Sequence, residues 1–187
     1  VPEIYSVSDD GMVYIQEDLG CLSLYDMLLA ARSGKTSWEE MESLLCRTMA
    51  MLPKIQYEGA AGLDFSICYP QPSFDRQNIM FDLNYFKYCF LKTTGLEFSE
   101  IKLQDDFHKL SLDLLKTTCG DTFLYRDFQA RNVMLVNDEP YFIDFQGGRR
   151  GPIYYDVASF VGQARAKYTP EVVDKMIDAY VESLKRY

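Results

Sequence analysis

The chain has 187 residues, of which 48% are hydrophobic and 14% aromatic, enough to bury one core but too few for two ordinary domains. Its formal net charge of −9 argues against binding to nucleic acid or to an anionic membrane surface, since both are polyanions. The sequence shows neither an apolar run long enough to span a bilayer nor a signal-peptide pattern at its start. We therefore expect a single domain that binds neither nucleic acid nor membrane.

The first part of the chain predicts a β-hairpin followed by helices. Two β-prone runs are separated by a loop that contains Asp10-Gly11, a hairpin signal. Ser23 and Asp26 then have the spacing of a helix-capping pair. The expected bounds are 1–5 and 12–17 for the strands, and 23–31 and 37–52 for the helices.

The remaining part predicts a long loop, two core helices, a small β-region and further helices. Glycine and proline interrupt the segment 57–73, which predicts irregular structure. The next two helices carry aromatic or apolar side chains at helical spacing, so we expect both to lie in the core. Their apolar residues are Phe81, Tyr85, Phe86, Tyr88 and Phe90 in 75–93, and Ile101, Phe107, Leu110 and Leu114 in 99–116. Short strands are expected at 123–125, 133–136 and 141–145, with helices after Pro152 and from Thr169.

The cysteines predict neither a disulfide framework nor a zinc site. They are odd in number, well separated and without a Cys-x-x-Cys pair: Cys21, Cys46, Cys68, Cys89 and Cys119. This usage is typical of a reducing compartment, so we expect a cytoplasmic protein. A single histidine, His108, leaves few routes to Ser-His or Cys-His catalysis.

The segment with the clearest chemistry reads Tyr-Arg-Asp-Phe-Gln-Ala-Arg-Asn and ends at Asn132. Asp127 lies five residues before Asn132, and Asp144 follows twelve residues after it, at the end of a predicted hairpin. This arrangement is used for magnesium-assisted phosphoryl transfer. It predicts Asp127 as the catalytic base, and Asn132 and Asp144 as magnesium ligands.

Magnesium takes oxygen ligands and keeps several waters, so one carboxylate, one amide and the nucleotide phosphates suffice. Phosphoryl transfer also needs positive charge near the phosphates. Four of the nine arginines fall in this part of an otherwise acidic chain: Arg126, Arg131, Arg149 and Arg150.

These motifs, with the Gly-Gly-Arg-Arg-Gly-Pro-Ile-Tyr-Tyr-Asp that follows Phe145-Gln146, resemble the aminoglycoside/choline phosphotransferase family, which has a protein-kinase-like fold. Within it they look most like the bacterial anomeric kinases of N-acetylmuramate and N-acetylglucosamine. The specific motifs occupy about residues 125–160. The resemblance implies an α+β chain that is mainly the helical C-terminal lobe (20–187), preceded by a β-hairpin from the end of the small lobe and by the hinge (1–19).

The resemblance also implies ATP and Mg²⁺ as cofactors and a small-molecule acceptor, an N-acetylated amino sugar, from whose hydroxyl Asp127 accepts the proton. The backbone carbonyl of Glu17 and amide of Leu19 occupy the family's hinge position, where they would hold the adenine edge. Candidate acceptor contacts are Asp82, Arg149 and Arg150, although the two arginines are equally explained as solvated charges.

Two further interpretations concern residues after Asp144. Gly147, Gly148 and Gly151 are expected to form a flexible loop on the substrate side. Asp156 is expected to be structural, accepting hydrogen bonds from backbone amides of the catalytic loop.

Two departures from the family pattern matter. Tyr125 stands where the family often has histidine, and a tyrosine that fills volume and hydrogen-bonds leaves the chemistry possible. No glycine-rich phosphate loop and no strand lysine precede Val1, although a kinase needs both. We therefore expect an N-terminal lobe of the same protein as a partner, and weak or no activity from this chain alone.

Two other functions stay open. A catalytically silent nucleotide-binding or interaction module is consistent with the missing phosphate loop. A metal-dependent hydrolase would need further carboxylates or histidines near Asp127 and Asp144 for a second metal ion, and the motif region does not supply them convincingly.

Overall fold

The computed structural model describes residues 1–116 and 120–187. The described helices are α1 (Leu24–Arg32), α2 (Trp38–Glu58), α3 (Arg76–Cys89), α4 (Glu100–Lys116), α5 (Ile153–Val161) and α6 (Pro170–Leu184). The described strands are β1 (Ile4–Val7), β2 (Tyr14–Gln16), β3 (Phe123–Leu124), β4 (Val133–Val136), β5 (Glu139–Phe142) and β6 (Arg149–Arg150). They pair as antiparallel ribbons, β1 with β2, β3 with β6 and β4 with β5. The mainly helical α+β fold is thereby confirmed, whereas the division at residue 19 stays a prediction.

The main core lies where α1, α2 and α6 pack beneath the β4–β5 hairpin. Helix α2 supplies buried side chains at a spacing of three or four residues, as a helix with one covered face requires. The fully buried side chains of this core include Leu24, Leu28, Met41, Leu45, Met49, Leu52, Phe128, Phe160 and Met176. Because Phe128 belongs to this core, the segment that contains the predicted base Asp127 is packed directly on the helices.

Local signals explain the start of α1 but not the end of α2. The Ser23 and Asp26 side chains form the predicted capping box. The predicted end of the second helix at Leu52 is wrong, because α2 continues through Pro53 to Glu58. Proline costs a helix interior about 3 kcal/mol, but the buried face continues to Gln56, whose contacts with α5 and α6 hold the last turns in place.

The β4–β5 hairpin is tighter than predicted. Asn137 and Asp138 alone form the turn, both with positive φ (51° and 62°), as a two-residue hairpin turn requires. Strand β5 therefore starts at Glu139 and includes Pro140. The expected continuation to residue 145 is wrong, since Asp144 adopts a φ of 67° that no strand residue has.

Helices α3 and α4 are the main correction to the predicted core. The aromatic residues of α3 and its C-terminal end are exposed: Phe81, Tyr85, Phe86, Tyr88 and Phe90. On α4, Phe107 is buried but Ile101 and Leu110 are exposed. The two helices pack against each other, but within 1–116 and 120–187 these apolar side chains stay exposed. Helical periodicity shows that they share a face, not that another element covers that face.

Cys21, Cys46, Cys68 and Cys89 are free thiols, and Cys119 lies outside the described residues. None of the described helices combines the length and the apolar composition needed to cross a membrane.

Candidate active site

The predicted catalytic loop (residues 125–132, called the catalytic loop below) joins β3 to β4. Asp156 of α5 fastens its start. The two carboxylate oxygens of Asp156 accept hydrogen bonds from the backbone amides of Tyr125 and Arg126, each at 2.9 Å. Asp156 has no exposed surface. The expected structural role of this carboxylate agrees with these contacts, which fix the backbone immediately before Asp127.

Gln56 supports Asp156 from α2, and sequence reasoning missed it. Its Nε2 donates to Asp156 Oδ2 at 3.3 Å and to the Ile153 carbonyl at 2.9 Å, while its Oε1 accepts from the Tyr180 hydroxyl at 2.8 Å. The sequence did contain a signal, because Gln56 lies on the apolar face of α2. A buried polar side chain needs hydrogen-bond partners, so this position predicts contacts with other polar groups.

Burial raises the pKa of Asp156 to about 6, against the opposing effect of the hydrogen bonds from Tyr125 and Arg126. The folded protein therefore binds a proton at this site more readily than the unfolded chain does. The stability that Asp156 contributes is full below about pH 4 and falls as pH rises to about 6.

We accordingly expect the destabilisation caused by Asp156→Asn to be larger near pH 4 than above about pH 7. Asparagine does not titrate, so the difference between the two proteins isolates Asp156. Urea unfolding of both proteins across this range measures it, and a destabilisation that grows with pH would contradict the assignment.

Asp127, Asn132 and Asp144 meet at one point. Asn132 is 6% exposed, and its Nδ2 donates to the Asp127 carbonyl at 2.9 Å and to Asp144 Oδ2 at 3.1 Å. The structure thus links the backbone of the predicted base Asp127 to the predicted metal ligand Asp144 through Asn132, which shares a loop with Asp127.

The loop and the hairpin end present the two carboxylates in different ways. Asp127 is paired within its own loop, accepting from Gln129 Nε2 and lying 3.6 Å from Arg131 Nη2. Asp144 is exposed and accepts from Gln146 Nε2 at 2.6 Å. The left-handed backbone of Asp144 is an uncommon conformation for a residue other than glycine, and such conformations occur frequently at functional sites.

Tyr125 occupies the family's histidine position as a packing residue. It is 1% exposed, and its hydroxyl donates to the Ile143 carbonyl beside Asp144. Burial and the neighbouring carboxylates raise the pKa of Tyr125, so the phenol keeps its proton. The catalytic loop and the β5 end are thereby joined.

A cleft of about 640 Å³ lies between the β1–β2 ribbon and the metal-ligand pair. Its lining includes Ile4, Tyr14 and Gln16 on one side and Asn132, Asp144 and Phe145 on the other. Glu17 and Leu19 follow directly after this wall. In the described part of the chain, no hydrogen bond uses the Glu17 carbonyl or the Leu19 amide, so the predicted hinge contacts stay a prediction that the geometry permits.

All three predicted acceptor contacts are engaged by protein groups, and Asp82 and Arg149 are the less accessible two. Asp82 forms a bidentate ion pair with Arg126, with both distances at 2.8 Å. Arg149 is 3% exposed and donates to Asn78 Oδ1 at 2.5 Å and to the Gly147 carbonyl. Interpreting Arg149 as a solvated charge is therefore wrong, and its role toward an acceptor stays a prediction.

Arg150 is the most accessible of the three predicted acceptor contacts. Its side chain is 49% exposed, and its Nε lies 3.1 Å from Asp121 Oδ1. Its guanidinium carbon also lies 4.9 Å from the centre of the Phe65 ring.

The expected flexible glycine loop is wrong for Gly148 and Gly151, which are packing positions. A Cβ on Gly148 would lie 2.1 Å from Phe123 Cζ and 2.9 Å from the Phe145 carbonyl oxygen, and one on Gly151 would lie 2.6 Å from Leu124 Cδ1. Both glycines let β6 and its flanks approach β3.

We expect Gly148→Ala to destabilise the protein by about 1–3 kcal/mol, the usual cost of overpacking, because the Phe145 carbonyl cannot rotate away. Gly147→Ala is the matched control, since its Cβ would meet only Arg126 side-chain atoms at 3.7 Å or more. Denaturant unfolding compares the two, and equal losses would contradict the packing role of Gly148.

The chemistry of the donor set fits magnesium. Both hydrogen bonds of Asn132 use Nδ2, which leaves the amide oxygen, together with the Asp144 carboxylate, as the kind of ligand that Mg²⁺ takes. No cluster of three His, Cys, Asp or Glu side chains suited to a metal occurs within 1–116 and 120–187. A magnesium site completed by phosphates and water needs only one or two carboxylates.

Comparison with known proteins supports what the geometry indicates. Residues 71–187, which include the whole catalytic loop and the β4–β5 hairpin, match the phosphotransferase enzyme family (APH). The chain belongs to this family. The resemblance drawn from the motifs at 125–160 is thereby confirmed.

An N-acetylmuramate/N-acetylglucosamine kinase from Neisseria meningitidis serogroup B is 27% identical to this family member over 188 residues. The match covers 99% of this chain and 53% of that protein, so the chain spans about half the length of the relative.

Two crystal structures show the same fold. One is an aminoglycoside-3'-phosphotransferase of type VIII, with a TM-score of 0.55 and 15% identity over 99% of this chain and 67% of the other. The second is an ADP-bound aminoglycoside phosphotransferase, with a TM-score of 0.57 and 15% identity over 99% of this chain and 62% of the other. They confirm the helical lobe of a kinase-like fold.

Proposed function

We propose that this phosphotransferase-family protein transfers the γ-phosphoryl group of ATP to a hydroxyl of a small acceptor. The supporting observation is the position of Asn132, whose Nδ2 contacts both the Asp127 carbonyl and Asp144 Oδ2. This contact joins the backbone of the proposed base to the proposed metal-ligand pair, which lines the cleft. Phosphoryl transfer depends mostly on such positioning.

Asp127 takes the proton of the acceptor hydroxyl, because its half-exposed carboxylate lies on the loop that Asp156 and Asn132 fasten. Asn132 and Asp144 hold Mg²⁺, which balances the negative charge on the phosphate oxygens. The backbone of Glu17 and Leu19 receives the adenine edge at the mouth of the cleft.

We further propose an N-acetylated amino sugar as the acceptor, on the strength of the motifs and of the named kinase that is 27% identical. Arg150 is the most accessible charged side chain for it, ahead of Asp82 and Arg149. We infer a cytoplasmic location, because the cysteines that the structure describes are free thiols. We also propose that an N-terminal lobe of the same protein supplies the phosphate loop.

The test is ADP release by the protein at its native length, with and without Mg²⁺. The acceptor panel contains N-acetylmuramate, N-acetylglucosamine, choline, homoserine and kanamycin. Release with an amino sugar supports the whole proposal, and release with another acceptor corrects the substrate class only. Silence across the panel, with retained nucleotide binding, would favour the catalytically silent module instead.

A further inference from the structure

A bidentate ion pair joins helix α3 to the residue immediately before Asp127. Arg126 Nη1 and Nη2 each donate to one oxygen of Asp82 at 2.8 Å, and Nη1 also donates to the Tyr155 hydroxyl at 3.1 Å. The Arg126 and Asp82 side chains are only 24% and 30% exposed. Fork-to-carboxylate pairing fixes orientation as well as distance, so this pair defines where α3 stands relative to the catalytic loop.

The rest of Arg126 is fixed as well. Its backbone has a φ of 81°, an uncommon conformation for an arginine, and its amide is held by Asp156. Its guanidinium carbon lies 5.9 Å from the centre of the Phe74 ring and 5.5 Å from that of Tyr155. A backbone in such a conformation persists only where its surroundings impose it. Asp156 holds the backbone amide of Arg126, and Asp82 holds its guanidinium group.

We propose that Asp82 is a positioning residue, which acts through Arg126 to orient the Asp127 carboxylate and thereby couples the α3–α4 hairpin to the catalytic loop. This inference rests on the proposed phosphoryl transfer. It differs from the prediction that Asp82 contacts the acceptor, because Arg126 engages both of its carboxylate oxygens.

The test starts with Asp82→Asn, which keeps the shape of the side chain and removes its charge. We expect kcat to fall by roughly 10- to 100-fold, the cost of a small misplacement in an active site, with KM for ATP and for the acceptor unchanged. Arg126→Lys cannot form the fork, and adding Asp82→Asn to it should cost little more, because the two residues act as one unit. Glu139→Gln is the control, since it breaks the exposed pair with Arg47 far from the loop.

Amide hydrogen exchange gives a readout that does not depend on activity. Exchange at Arg126 and Asp127 should accelerate in Asp82→Asn but not in Glu139→Gln, with α2 and α6 unchanged in both as proof of folding. A higher KM for the acceptor at unchanged kcat would instead assign Asp82 to acceptor binding and overturn the proposal, as would additive losses in the double variant.

If the wild-type protein at its native length transfers no phosphoryl group, the proposed function fails and the role of Asp82 in orienting a base fails with it. The exchange data then still show separately whether Asp82 orders the loop. Unaltered exchange in Asp82→Asn would reject the coupling between α3 and the loop on its own, whatever the activity of the wild type.

Discussion

Replacing Asp127 by asparagine is expected to lower kcat for phosphoryl transfer by roughly 10²- to 10⁴-fold, the usual contribution of a general base, and to leave nucleotide binding intact. Asparagine has nearly the same shape but cannot take the proton of a hydroxyl. The Asp127 side chain is 44% exposed, and its partners Gln129 and Arg131 belong to the same loop. The substitution therefore removes little packing, and we expect the free energy of unfolding to stay nearly constant.

Steady-state kinetics, equilibrium nucleotide binding and thermal unfolding of the same preparation check this expectation. Asp113→Asn is the matched control, because Asp113 is 69% exposed and pairs with Lys116 on α4, away from the cleft. A kcat for Asp127→Asn that equals the control value would remove Asp127 from the chemistry, whereas a loss of nucleotide binding would assign it to the cleft wall.

The proximity of Asp127, Asn132 and Asp144 could be predicted from the sequence because it is local. Asp127 and Asn132 share one short loop, and Asp144 ends the hairpin that begins next to Asn132, so their spacing along the chain limits their distance in space. The capping box of Ser23 and Asp26 was predictable for the same reason. Asp156 followed from the family pattern, although the two amides that it binds could be identified only from the structure.

The surroundings of the site were harder to predict because they depend on packing between distant segments. Periodicity shows which side chains share a face of α3, but not whether another element covers that face, and Phe81 is 67% exposed. The charge of Arg149 predicts an exposed side chain, yet the side chain is buried and donates a hydrogen bond to Asn78 of α3. A glycine such as Gly148 predicts a flexible backbone, but in the structure the ring of Phe123 packs directly against it.

Asp144→Asn is expected to abolish the magnesium dependence of nucleotide binding and to lower kcat by roughly 10³-fold or more, since metal charge contributes several kcal/mol to such reactions. Asp144 is the only carboxylate of the predicted ligand pair, so its loss leaves two neutral amides. Asparagine tolerates the left-handed backbone at this position, and we therefore expect the fold to be retained where alanine would add strain.

Nucleotide titrations with and without Mg²⁺, on the wild type and on Asp144→Asn, separate loss of the metal from loss of the fold. Asp138→Asn is a close control, because Asp138 also has a positive φ, at the turn of the same hairpin, but lies at the end remote from the cleft. If Asp144→Asn bound nucleotide with the magnesium dependence of the wild type, Asp144 would not be a metal ligand. The magnesium site would then have to lie elsewhere. Both substitutions remove the charge of an aspartate that has a left-handed backbone. If only Asp144→Asn loses the magnesium dependence of nucleotide binding, the position of the charge at residue 144 is the cause.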